Sequence, residues 1–156
     1  MSSGQPGSTS GRAWPDVPGV VMREFAINYL AIVAAVVVRM ALGALWYSPL
    51  LFVRPWMETV GRTEAEIRAG LPRAVVSDAI GSFIMAFVLV QAVRYASAHT
   101  AILGAAVGFF NWLGFVAVVT INAVVHEGRP FRHFLINNGY QLISLLLMGA
   151  ILGAWR

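Results

Sequence analysis

Four long apolar stretches separated by short polar ones set the pattern of this chain: Phe25–Tyr47, Ala74–Tyr95, Ala101–Val125 and His133–Trp155. Each runs 22 to 25 residues, and a helix needs about 20 to cross the hydrocarbon core of a bilayer. The pattern predicts an all-α integral membrane four-helix bundle occupying residues 21–156, joined by short connections. Ahead of it, residues 1–20 are rich in Gly, Ser, Thr and Pro, with Trp14 the one aromatic. Such a tail buries too little apolar area to fold and is expected to be disordered. No small-residue cleavage site comes after the first apolar stretch, so a cleavable secretory signal is not expected.

The first loop, Ser48–Arg73, is the long one. Pro49 ends the first helix, and Trp46, Tyr47, Phe52 and Trp56 are the amphipathic aromatics that settle at headgroup level. Trp46, Tyr47, Pro49 and Trp56 are therefore the expected interfacial anchor. Thr63 with Glu66 three residues on reads as a capping box, and Gly70 and Pro72 are expected to stop the short helix it starts. The loop between the first two spans is thus expected to be structured and to lie along the interface. The other loops, around Ser97–Thr100 and His126–Arg132, are short enough to make their flanking helices antiparallel neighbours.

Composition agrees with a lipid environment: 58% of residues are hydrophobic and 12% charged, where a soluble domain carries roughly a quarter charged. All eleven basic residues are arginine, and they sit at helix ends rather than in a stripe. A phosphate backbone is bound by clustered basic side chains, so nucleic acid is not an expected partner despite a pI near 10.3. Arg54, Arg62, Arg68, Arg73, Arg129 and Arg132 lie on the side of loops 1 and 3; Arg12, Arg23, Arg94 and Arg156 lie on the other. By the six-against-four count loops 1 and 3 are expected in the cytoplasm and both termini outside the cell membrane. With no cysteine, neither disulfides nor thiolate chemistry is available.

Each span carries one polar or small-residue face at helical spacing. These faces are Asn28, Ala35, Arg39 and Trp46; Ser77, Asp78, Gly81 and Ser82; Gly104, Gly108, Asn111, Phe115 and Asn122; and Asn137, Gln141 and Ser144. Polarity is also lopsided in depth, since Arg39, Asp78, Ser82, Thr120, Asn122, Asn137, Asn138 and Gln141 all fall in the half nearer loops 1 and 3. The candidate site is an intramembrane cluster of Arg39, Asp78, Ser82, Asn122, Asn137 and Gln141. At about 1.5 Å per residue the backbones of Arg39 and Asp78 differ in depth by roughly 6 Å, which an extended arginine spans. The two charges are expected to pair.

No Ser/His/Asp order, phosphate loop or carboxylate pair signals catalysis. His126, Glu127 and His133 match no metal-ligand spacing, so neither a metal nor another cofactor is expected. Gly104-Ala-Ala-Val-Gly108 and Gly149-Ala-Ile-Leu-Gly153 fit the G-x-x-x-G pattern, and Gly149/Gly153 lie off the polar stripe of their helix. That helix is expected to touch neighbours on two sides, one of them in another subunit.

Three segments resemble the four-span membrane family known as domain of unknown function 1761. They are Leu42-Gly43-Ala44-Leu45-Trp46-Tyr47-Ser48-Pro49 with Phe52 and Pro55-Trp56; Trp112-Leu113-Gly114-Phe115; and Glu127-Gly128-Arg129-Pro130 with Phe134-Leu135-Ile136-Asn137 and Gly139-Tyr140. The resemblance runs from about Ala26 to Trp155. It implies a four-span membrane protein and carries no activity, cofactor or catalytic residue, and it implies a small or apolar side chain where Arg39 stands.

Three functions fit these features. The first is a non-catalytic interaction, accessory or self-associating membrane subunit, whose partners are the bilayer and a membrane protein or second copy. The second is an oligomeric small-solute transporter or channel using a polar half-membrane cavity. The third is an enzyme acting on a hydrophobic substrate.

Overall fold

A computed structural model describes residues 28–155. The tail expected to be disordered and the first residues of the first span, 25–27, lie outside the described residues. Within them the chain is all-helical: α1 (Tyr29–Trp46), α2 (Val53–Val60), α3 (Glu64–Tyr95), α4 (Ala101–Asn111), a π-helical stretch (Trp112–Ala117), α5 (Val118–Glu127) and α6 (Phe131–Ala154). The α4–π–α5 run is continuous, so four helices are long and apolar enough to cross a membrane.

The helix ends are set by side-chain chemistry. Asn28 accepts from the Ala31 amide at 3.1 Å, so its polarity caps α1 rather than joining the polar stripe. Thr63 and Glu66 form the expected capping box on α3. Thr100 caps α4 through the Leu103 amide. Gly61 and Gly128 end α2 and α5 with φ of 64° and 66°, a left-handed conformation that costs glycine no Cβ clash.

Gly70 and Pro72 do not stop the helix that Thr63 starts; α3 continues through both for 32 residues. Gly70 stays out of the left-handed region that a C-cap requires. Pro72 removes one backbone bond, but residues 71–78 are all exposed, so the carbonyl it leaves free, on Arg68, is open to solvation at this polar end. At 1.5 Å per residue α3 is about 48 Å long against a hydrocarbon core of about 30 Å. Its surplus is the polar beginning, with Glu64, Glu66, Arg68 and Arg73.

α6 is the central helix. Of its most apolar 18-residue window 44% is buried, against 22% in α1, 22% in α3 and 11% in the α4–α5 span. α4 lies against it at backbone contact. A Cβ on Gly104 would fall on the Gly149 carbonyl, one on Gly149 would fall on the Gly104 carbonyl, and one on Gly108 would fall on the Leu145 carbonyl. Both G-x-x-x-G pairs are therefore used on each other inside one chain. The neighbour on the Gly149/Gly153 side of α6 is α4 of the same chain. On its other sides α6 meets α1 and α3 around Ala31, Ile32, Ala35, Ala86, Leu89, Met148 and Leu152.

Candidate functional site

Arg39 sits mid-way along α1 and is 6% exposed. Small residues make room for it: Ala35 one turn away is fully buried, as is Ser82 opposite. The guanidinium donates through Nη1 to Ser82 Oγ on α3 (2.8 Å) and through Nη2 to Gln141 Oε1 on α6 (3.1 Å). Its central carbon lies 5.1 Å from the centre of the Tyr140 ring, within cation–π range. The Tyr140 hydroxyl donates back to the Arg39 carbonyl at 3.4 Å. One side chain thus ties three helices together. Among the described residues the buried Arg39 Nε has no hydrogen-bond partner.

Asp78 is not in this cluster. Its residue is exposed, and no ion pair joins it to Arg39 among the described residues. The reason is local. The guanidinium reaches Ser82, one turn further along α3, and the Ser82 hydroxyl is turned back onto the Asp78 backbone carbonyl at 2.5 Å. Depth alone suggests the pairing, whereas the guanidinium is taken up by Ser82 and Gln141 and the Asp78 side chain stays exposed. Asp78→Asn should accordingly leave the melting temperature in mild detergent unchanged, within the roughly 0.5 kcal/mol typical of exposed substitutions. A clear drop would restore a role for the carboxylate in holding the bundle.

A second polar network lies at the end of the bundle nearer loops 1 and 3. Tyr47 Oη donates to Asn137 Oδ1 (2.9 Å), Asn137 Nδ2 meets His133 Nε2 (2.8 Å), and His133 Nδ1 meets Thr59 Oγ1 (2.9 Å). The Thr59 hydroxyl spends its proton on the Trp56 carbonyl at 2.7 Å. With that proton so placed, Thr59 Oγ1 accepts from His133 Nδ1–H, and with Asn137 Oδ1 taking the Tyr47 proton, His133 Nε2 accepts from Asn137 Nδ2. Both imidazole nitrogens are engaged in this arrangement. A metal bound at His133 would have to break this chain, and among the described residues no three His, Cys, Asp or Glu side chains converge on one point.

The expected anchors are more than interfacial. Trp46 Nε1 donates to the Ile136 carbonyl at 3.1 Å and stacks obliquely on Phe52, while Tyr47 packs edge-on against both Trp56 and Tyr140. They lock the end of α1 and the α2 segment onto α6. Pro49 is exposed in the turn between them.

Asn122 is exposed and joins neither network. The π-helical stretch explains why. Each extra residue in a helical turn rotates the remainder of the helix by about 100°, so a face counted at 3.6 residues per turn through Trp112–Ala117 is displaced beyond it. Thr120 is exposed as well; its hydroxyl donates to the Val116 carbonyl at 2.7 Å and lies 3.1 Å from Asn138 Oδ1, while Trp112 Nε1 donates to the Asn138 carbonyl. Of the candidate cluster the structure brings together Arg39, Ser82 and Gln141, places Asn137 in the separate network, and leaves Asp78 and Asn122 outside both. Sequence reasoning missed Tyr140 and Thr59. The signal for Tyr140 was its spacing, three residues after Asn137 and four before Ser144, on the face already singled out.

Four apolar helices bound by intramembrane polar ties define a multi-pass membrane protein with a helical-bundle fold. The chain belongs to the family described as protein of unknown function (DUF1761), whose model matches residues 30–153. No curated protein and no solved structure matches it.

Proposed function

We propose that this protein is a non-catalytic membrane subunit, a compact four-span module that works by associating with a membrane protein partner or with a second copy of itself. The observation that carries this reading is the use of the intramembrane polar groups. Arg39, Ser82, Gln141 and Tyr140 are spent on one another across three helices, with Arg39 6%, Ser82 0% and Tyr140 8% exposed. A solute pathway keeps its polar groups facing a wet cavity; a structural seam closes them against neighbouring helices. The outer faces of α3 and of the α4–α5 span remain apolar and open, with Ile80, Phe83 and Ile84 on one and Phe110, Phe115 and Val118 on the other. These are the surfaces a partner would cover.

Thiol labelling separates this reading from a transporter, and the cysteine-free chain gives it no background. Cysteines introduced for Ser82 and for Gln141 should resist a membrane-impermeant thiol reagent from either side, while one replacing Glu127 labels fully. Rapid labelling of both intramembrane positions would overturn the closed seam. Purification from native membrane in mild detergent should then yield a constant ratio of this chain to a partner, or a discrete oligomer. A monomer with nothing bound at any detergent concentration would refute association.

A further inference from the structure

Apart from the buried seam, a cavity of about 360 Å³ opens among Trp56, Thr59, Val60, Arg62, Arg129, Pro130 and His133. Its size falls in the roughly 300–1,000 Å³ range of small-ligand sites. Two corners of the same construction meet there. Each is a glycine in the left-handed conformation closing one helix, then an arginine, then the N-cap of the next helix: Gly61-Arg62-Thr63 between α2 and α3, and Gly128-Arg129-Pro130 between α5 and α6. Because a helix end fixes the backbone on both sides, each arginine is presented from a rigid corner.

Glu58 is held by Arg132 at 2.9 Å, and Glu127 takes Arg129 through its Nε at 2.8 Å. That contact leaves both Nη groups of Arg129 available. Arg62 has no carboxylate within ion-pair distance among the described residues. The cavity also abuts the first turn of α6, which has no acidic residue and no side-chain cap, so the positive end of that 24-residue helix is uncompensated. His133 is tied through its two nitrogens to Thr59 and Asn137. Glu66 lies in the field of Arg62, with its carboxylate spent on the Thr63 cap. What remains is two guanidinium groups, a helix N-terminus and the indole of Trp56.

We infer that this cavity binds an anionic phosphate group, with Arg62 and Arg129 as its ligands. The guanidinium fork fits phosphate oxygens in pairs, and the site accommodates a phosphodiester without demanding a second charge. Such a group reaches it either as the headgroup of an anionic phospholipid or as a soluble phosphate ester, and the two are distinguished by what the oxygen carries beyond the phosphorus.

Calorimetric titration of the full-length protein in neutral detergent tests this with three probes: dihexanoyl phosphatidylglycerol, dihexanoyl phosphatidylcholine and glycerol 3-phosphate. Saturable binding of one phosphatidylglycerol per chain is expected, weakened at least about tenfold by Arg62→Gln and again by Arg129→Gln. Arg54→Gln, on α2 outside the cavity, should bind as wild type does. Preference for phosphatidylglycerol over glycerol 3-phosphate identifies the lipid source, and equal or tighter binding of glycerol 3-phosphate identifies the soluble one. Arg62 is exposed, so Arg62→Gln keeps its fold and remains informative even if the Arg129 variant unfolds. Absence of saturable binding by any probe, binding undiminished in Arg62→Gln, or equal binding of the zwitterionic lipid overturns the proposal.

Discussion

Gly149→Val should abolish the folded bundle, and Gly104→Val should do the same. Overpacking a protein interior commonly costs about 1–3 kcal/mol, because neighbouring side chains can move aside. Here the obstacle is the opposing main chain, since the added Cβ would fall on a carbonyl oxygen of the facing helix. Only separation of α4 from α6 relieves it. We therefore expect a loss on the order of 4 kcal/mol or more, within the range reserved for gross packing defects. It would be read as aggregation, or as a collapse of the melting temperature, by size-exclusion profiles after heating in detergent. Even Gly149→Ala should be severely destabilising. Gly81 and Gly114 provide the controls, because a Cβ at either would meet nothing within 4 Å. Gly81→Ala and Gly114→Ala should leave the profile unchanged or shift it slightly upward, by up to about 1 kcal/mol for a helical position. If Gly149→Val melted like the wild type, the α4–α6 contact would be wrong, and with it the claim that both glycine pairs are used inside one chain.

The same glycines show what was legible in advance. Span number, span length and the apolar character of each helix can be read from composition and hydropathy alone, because a bilayer imposes one length on every crossing. The capping box at Thr63 and Glu66 was equally readable, being a local arrangement that needs no tertiary partner. Partner choice was not readable. G-x-x-x-G announces that a backbone will come close to another, without saying whose; that Gly149 and Gly153 meet Gly104 of the same chain could not be read from the pattern. Gly70 and Pro72 misled for a related reason: breaker residues act only where the broken bond has nowhere else to go, and at the exposed start of α3 it does. Asn122 was misplaced by a geometric cause. A uniform period carried through the π-helical stretch at Trp112–Ala117 rotates every later residue to the wrong face. Arg39, Ser82 and Gln141 come together as a group because buried polar side chains in lipid must find one another. Which of the polar residues met depended on the rotation and tilt of α3, and those are set by packing.

The tie at Arg39 should respond asymmetrically to mutation, and the asymmetry says what the residue is for. Ser82→Ala leaves Nη1 of a buried guanidinium without its acceptor, and an orphaned charged donor costs about 1.5–3 kcal/mol. Arg39→Met removes the charge together with its needs. The Ser82 hydroxyl keeps its bond to the Asp78 carbonyl, and Gln141, half-buried, loses one donor. An arginine at a helix centre costs roughly 2.5–3.5 kcal/mol on insertion scales, and this one retains a buried Nε with no partner. Relief of that burden offsets the lost bonds, so Arg39→Met should melt within about 1 kcal/mol of the wild type. In the Arg39→Met background Ser82→Ala should then be nearly silent, giving a coupling of about 1–2 kcal/mol in a double-mutant cycle. A coupling near zero would mean that the two side chains do not support each other in the membrane. With the expected values, the buried cation adds little net stability. Its contribution is to make any packing that leaves the guanidinium without Ser82 and Gln141 expensive, which fixes how α1, α3 and α6 are rotated against one another. Loss of that constraint should appear in Arg39→Met as a broader thermal transition at a similar midpoint. That is the behaviour expected of a module whose outer faces must be presented to a partner in one arrangement.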